Sequence, residues 1–512
     1  MQMRTALGSL SLVGLAFLAS SSMAQGQPDV IARIIKEGKE KSQAFKTISD
    51  LGTQVGARVT GSKALDKGID WAIDRFKKAG VDKVWKEQWG SIPETFDRGP
   101  SNSVRMISSY NRDFVFSTPC WTYGTKGKVT GNLVKIPTTM EEFEKVKGSL
   151  KGAFVLMPAN MGMRGPNWAN RTDIDKALDG AGIAGRVYST GRELVWTHGS
   201  WLTWTEETRP KTPLIMVRQS DYDAALYNID KGRNPKLEAQ VDNRIDKKPM
   251  PVYNVIAEIK GTERPDEIVI ICGHFDSWNG PGSQGASDNG TGTTATLEAA
   301  RILAASKVKP KRTIRFILWT GEEQGLLGSR AYCETHKDEM AKISAVLNED
   351  SGQNPHAAIL GLPQMMEVLN DAVAPMKTAF PDFPVEAREV QRLPRGGSDH
   401  ASFLAKGVPA FFLQKKAIKD YGFVWHTQHD RVDQVEDLWL RQMATNLSVL
   451  AYNLAQAPEM LPRVPMSATT YDPHNLGGSI APHEMESEIH TCGCSINFEL
   501  KHVVHKIRLR TR

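Results

Sequence analysis

Ile268-Val269-Ile270-Ile271-Cys272-Gly273-His274-Phe275-Asp276-Ser277-Trp278 is the stretch on which the fold is decided. Ile268 to Cys272 is an uninterrupted apolar run of strand length, the pattern of a strand covered on both faces. Such strands belong to parallel sheets, whose carboxyl ends carry ligands and catalytic groups. The chain leaves this strand through His274, with a carboxylate two residues on. That arrangement suits a metal ligand whose second ring nitrogen is held by Asp276, although taken alone it reads more readily as an ordinary surface histidine.

Outward from this strand the apolar segments alternate between strand and helix lengths. Asn254 to Ile259, Thr313 to Thr320, Ala345 to Leu347 and Ala410 to Leu413 are strand candidates. Thr293 to Ala305, the segment after Leu326 and Leu438 to Ala455 have helical texture. The alternation predicts an α/β domain with a mostly parallel central sheet flanked by helices on both faces. Upstream, Leu65, Ile69, Ala72, Ile73 and Phe76 recur at helical spacing between Ser62 and Gly80, a start and a stop for an amphipathic helix. Between about 122 and 248 the texture changes to short β-like runs, such as Gly152 to Met157 and Pro213 to Val217, separated by Gly, Asn and Pro. That stretch reads as a strand-rich insert.

Each strand end then presents chemistry. After Ile268–Cys272 comes His274, after Thr313–Thr320 the pair Glu322-Glu323, and after Ala345–Leu347 the sequence Asn348-Glu349-Asp350. Asp288 opens the helix between the first two, where a simple N-cap is the alternative. Glu322 and Glu323 alone are compatible with a solvated turn, yet adjacent carboxylates at a strand end repel unless a cation offsets them or one stays protonated. A late loop adds Trp425-His426-Thr427. Together these are His and carboxylate ligands suited to zinc, and two zinc ions can share a carboxylate. Three ligating carboxylates and one hydroxide would balance the charge of such a pair.

These motifs, with Ala286 to Gly292, Ser398-Asp399-His400 and Val59-Thr60-Gly61-Ser62, resemble in type and order the signatures of the M28 zinc metallopeptidases, aminopeptidase and carboxypeptidase Q-like members alike. The resemblance spans roughly 30–462. It implies a zinc-dependent exopeptidase fold, with residues 25–121 and 249–462 forming the catalytic domain and 122–248 an inserted protease-associated (PA) domain. It implies two Zn2+ ions bridged by Asp288, one completed by His274 and Asp350 and the other by Glu323 and His426. Glu322 would be the general base and Asp276 would orient His274, while His400 and His429 fall outside the ligand set. The implied reaction is hydrolysis of N-terminal residues from peptides or dipeptides by a metal-bridged hydroxide. Alternatives of the same fold are a dipeptidase, a glutaminyl cyclase-like acyltransferase and a non-catalytic receptor. One departure is the loop from Asn279 to Gly285, rich in glycine and lacking the acidic residue often found after Ser-Trp, which bears on substrate selectivity.

Composition sets the surroundings. Arg4, the apolar run Leu7 to Ala19 and Ser22-Met23-Ala24 read as a signal peptide over residues 1–24, so the mature protein is expected in a periplasm or outside the cell, without stable membrane insertion. The formal net charge is +6, of which Lys501, Lys506, Arg508, Arg510 and Arg512 supply five, so the body is nearly balanced and nothing calls for nucleic acid. The five cysteines form neither a disulfide framework nor a Cys-rich zinc site, and residues 463–512 read as an appended tail. Short peptides or dipeptides are the expected partners, with a homodimer among the expected states. Gly280-Pro281-Gly282-Ser283-Gln284-Gly285 fits a dinucleotide-binding pattern formally, but the residues between it and the strand preclude the tight turn that cofactor needs. No H-E-x-x-H pair and no G-x-S-x-G elbow is present.

Overall fold

The computed structural model describes residues 26–158, 172–204, 206 and 208–470. Residues 1–24, expected from sequence to be a signal peptide, Cys492, Cys494 and most of the tail lie outside the described residues. Among those described, no helix is long and apolar enough to cross a membrane.

The part of the chain that carries the candidate site residues is built on a six-stranded sheet. Its strands are β1 (Lys83–Ile92), β2 (Met250–Ile259), β3 (Arg264–His274), β4 (Arg312–Trp319), β5 (Ile343–Asn348) and β6 (Ala410–Phe412), in the spatial order β1-β2-β4-β3-β5-β6. β4, β3, β5 and β6 are parallel, while β1 and β2 add an antiparallel edge. The expected strands are therefore present, each within a few residues of its sequence-derived bounds. The apolar run Ile268 to Cys272 is buried throughout, which is why it lacks the alternation of a half-exposed strand.

Helices cover both faces. On one, Thr291–Ala305, Asp437–Gln456 and Lys63–Ala79 pack against the sheet, and Pro28–Glu40 and Ala44–Gln54 pack in turn on Thr291–Ala305 and Asp437–Gln456. Lys63–Ala79 starts where Ser62 accepts a hydrogen bond from the Leu65 amide and stops at Gly80, whose φ of +83° is left-handed. Leu65, Ile69, Ala72 and Phe76 form its buried stripe, with Phe76 packed against Phe316 of β4. On the opposite face Leu327–Thr335 and His400–Leu404 sandwich Trp319, whose ring meets Tyr332 and Phe403.

Between β1 and β2 the chain forms a second, eight-stranded sheet with its own apolar core around Phe154, Val187, Ile215 and Leu237. Its parallel centre, Val129–Lys135, Phe154–Leu156, Gly185–Ser189 and Leu214–Val217, is flanked by helices such as Gln219–Asp230. The sheet begins at Ser103, upstream of residue 122 where the sequence changes texture, because Ser103–Ile107, Asn111–Asp113 and Phe116–Ser117 pair into it. These strands are short, two to five residues, and only Ser103–Ile107 carries apolar alternation, through Val104 and Met106. Thr95–Arg98 and Asn243–Asp246 pair as an antiparallel stalk where the insert leaves and re-enters.

Candidate metal centre

The register of the sheet brings the candidate residues together. Cys272 of β3 lies opposite Ile317 of β4 and Asn348 of β5, so His274, Glu322 and Asp350 emerge at one edge. Asp288 reaches the same place from the turn Ala286–Gly290 ahead of helix Thr291–Ala305. Its carboxylate is not an N-cap: the cap position is Gly290, without a side-chain bond. Gly292 is required there, since a Cβ would stand 2.1 Å from the Glu349 carbonyl oxygen.

Asp288 faces two histidines with two different oxygens. Oδ1 lies 3.1 Å from His274 Nε2, and Oδ2 lies 3.1 Å from His426 Nε2. His274 Nε2 is also 3.1 Å from Asp350 Oδ1, and His426 Nε2 is 3.2 Å from Glu323 Oε2. Glu322 stands off, its Oε2 3.9 Å from His274 Nε2. One donor atom each from His274, Asp288 and Glu323 falls within 4.8 Å of the others. His400 and His429 stay apart from this cluster: His400 points Nε2 at the Pro394 carbonyl, and His429 stacks on Phe423.

The orientation of His274 differs from the sequence expectation. Its Nδ1 sits 2.9 Å from the main-chain carbonyl oxygen of Asp276, while the Asp276 carboxylate is 3.7 Å away. That carboxylate is used elsewhere: it accepts from Thr60 Oγ1 at 2.9 Å and from the Glu322 amide at 3.3 Å. Thr60 Oγ1 also accepts from the Gly321 amide at 2.8 Å, so the Val59-Thr60-Gly61-Ser62 segment fixes the backbone that carries Glu322 and Glu323.

Electrostatics mark the cluster as short of positive charge. Burial pushes Glu322 well above the usual carboxylate range despite the nearby His274, and burial with the Asp288 charge lifts Glu323 to about 7. Burial likewise raises Asp350. Asp288 goes the other way, because hydrogen bonds to His274 and His426 outweigh its burial. Burial opposes protonation of His426, but Glu323 and Asp288 overcome it and raise that ring to about 10. Glu323 Oε1 is a buried acceptor with no hydrogen-bond partner among the described residues. Four close carboxylates, two histidines and an unsatisfied acceptor fit divalent cations of the zinc type, which would neutralise the acids and leave both rings as neutral ligands.

Three supporting residues carried no sequence signal as functional groups. Asp430 accepts from the amides of Ser287 and Asp288 and so fixes the Asp288 turn, and burial with the Asp288 charge raises it to about 8. Arg58, fully buried, donates to the carbonyls of Phe275, Gln284 and Gly285 and ties down the glycine-rich loop. Tyr421 is buried close to Asp288 and Asp350, and burial and those charges push its hydroxyl pKa well up. Asp430 and Arg58 lie in irregular loops and Tyr421 in a single 3-10 turn, with nothing in spacing to single them out.

A mostly parallel sheet with a histidine and carboxylate cluster at its carboxyl edge is an α/β fold with a site suited to divalent metal ions. Residues 254–451 match the family model described as Peptidase family M28, and this stretch is an M28 peptidase domain. The chain is similar to carboxypeptidase Q of Rattus norvegicus, 26% identical over 433 residues, covering 83% of this chain and 88% of that protein. Among solved structures it is similar to a peptidase M28 precursor from Shewanella amazonensis SB2B, with a TM-score of 0.63 and 23% identity, covering 85% of this chain and 98% of that one. A zinc aminopeptidase from Bacillus subtilis shares the fold at a TM-score of 0.52 and 20% identity, covering 83% of this chain and 98% of that one.

Proposed function

We propose that this protein is an exported di-zinc exopeptidase that removes N-terminal residues from peptides or dipeptides. The observation that carries the reading is the split of the Asp288 carboxylate, one oxygen 3.1 Å from His274 and the other 3.1 Å from His426. His274, Asp350 and one Asp288 oxygen would hold one zinc; His426, Glu323 and the other oxygen would hold the second. When bound, such a pair acidifies water and polarises a carbonyl.

The rest of the chemistry falls to the chain. Glu322 stands outside both donor sets, and its burial favours holding a proton, so it suits a base that takes a proton from water and passes it to the leaving amine. Asp276 keeps Glu322 in register through the amide contact. The free α-amino group of the substrate docks beside the site, which limits cleavage to the chain end. The insert, read as a PA-like domain, narrows the approach. Similarity to carboxypeptidase Q over most of both chains supports a second reading, that the substrates are dipeptides.

The test is turnover of amino-acid amides, dipeptides and N-blocked peptides, with added zinc and with chelator, beside zinc stoichiometry. Zinc-dependent cleavage confined to free-amine substrates supports the reading, and preference for dipeptides over amides supports its narrower form. Cleavage that survives N-blocking overturns aminopeptidase action. One zinc per chain with cyclising activity points to an acyltransferase, and two zincs without hydrolysis to a receptor.

A further inference from the structure

The loop that carries His426 is not held by the catalytic domain alone. Segment Val195–Thr197 of the insert lies against it as a strand-like strap, with Trp196 and Thr427 forming an antiparallel bridge. The Thr197 amide donates to the His426 carbonyl at 2.8 Å, and the Val195 amide donates to Gln428 Oε1 at 2.9 Å. The Trp196 ring packs edge-on against Trp425 with centroids 5.9 Å apart, and the Arg192 guanidinium lies 3.8 Å above the Trp196 ring. On its other side the strap is fixed within the insert: Ser117 Oγ donates to the Trp196 carbonyl at 2.5 Å.

The clamped residue needs holding. His426 has a φ of +55°, left-handed backbone that a residue with a Cβ adopts only where its surroundings impose it. Its ring must nonetheless meet Asp288 and Glu323 at 3.1 and 3.2 Å. His274 needs no such help, because it ends a buried strand and its Nδ1 is held by its own segment.

We propose that Val195–Thr197 is a positioning strap through which the insert sets metal affinity at the His426–Glu323 half of the cage, leaving the His274–Asp350 half unaffected. This rests on the di-zinc reading. The strap acts through His426 and touches no reacting atom, so the insert contributes to the site by geometry even where it meets no substrate.

The experiment is zinc titration of the full-length metal-free protein against a chromophoric competitor, for wild type, Trp196→Ala, Gln428→Ala and Thr197→Pro, with Trp196→Phe as the conservative rescue. Wild type binds two ions. Each strap variant is expected to keep one at wild-type affinity and to bind the other about 10–100-fold more weakly, as when a contact supporting a ligand is lost. Trp196→Phe, which retains an aromatic edge against Trp425, recovers most of the loss. Two ions at unchanged affinity, or both weakened equally, overturns the strap. If Thr197→Pro does not fold, Trp196→Ala and Gln428→Ala decide between these outcomes by themselves. Fewer than two ions in wild type overturns the di-zinc reading itself.

Discussion

His274 and Asp350 leave adjacent strands β3 and β5, and their side chains are 1% and 7% exposed. His426 sits on an irregular loop with its side chain 21% exposed, held from outside by the insert. The sheet register fixes the first pair by the same hydrogen bonds that make the fold. The second pair depends on contacts between units distant in sequence, where a small displacement changes a ligand distance without unfolding the core. On the proposed di-zinc reading, a sheet-held rigid half and an insert-held adjustable half would share one carboxylate, Asp288, whose two oxygens face His274 and His426.

The largest expected effect comes from removing that shared group. Asp288→Ala should bind fewer than two zincs and lose turnover to the level of chelated protein, measured by metal analysis and peptide hydrolysis; two ions retained would mean that the halves do not share a bridge. Glu322→Gln spares both halves, so zinc content should stay at two while kcat falls by about 10²–10⁴-fold. Full activity in that variant would take Glu322 out of the mechanism.

A finer probe of the rigid half is Asp276→Asn. Since the main-chain carbonyl holds His274, zinc affinity should change by less than the ~10–100-fold expected on losing a contact that orients a ligand. The loss should fall on kcat, through the Glu322 amide contact. A large affinity loss would return the carboxylate to the orienting role expected from sequence.

The smallest effect lies away from the cage and concerns folding alone. His336 joins Leu327–Thr335 to β1, with Glu87 at 3.0 Å and Glu339 at 3.4 Å, and hydrogen bonds to Glu339 and Glu87 raise it to about 9. A histidine raised above its ordinary 6.5 gives stability that is complete below that value and is lost as pH rises through about 9. Thermal melts of the metal-free protein should therefore drop modestly between those limits, and His336→Gln should flatten that part of the profile. An unchanged profile would remove this contact from the stability of the rigid half.

Much of this was legible beforehand for a physical reason. Fully buried strands are continuous apolar runs, and parallel sheets gather their carboxyl ends, so His274, Glu322, Glu323 and Asp350 could be placed together from Ile268–Cys272, Thr313–Thr320 and Ala345–Leu347. Asp288 and His426 joined them through resemblance to a family more than through periodicity. The strands from Ser103 to Ser117 were not identified, because segments of two to five residues carry too little alternation to separate strand from loop, and their identity comes from partners that local sequence does not show.

By itself, then, the order of residues determined the layered α/β class, the helix from Ser62 to Gly80, and which side chains have the chemistry to bind a cation. Tertiary structure alone decided that Asp288 is not a helix cap and faces both histidines, the carbonyl rather than carboxylate hold on His274, the support given by Arg58 and Asp430, and the grip of the insert on His426. Periodicity reports burial along one segment. Contacts between segments, such as Thr197 with His426, are set by where the whole chain comes to rest.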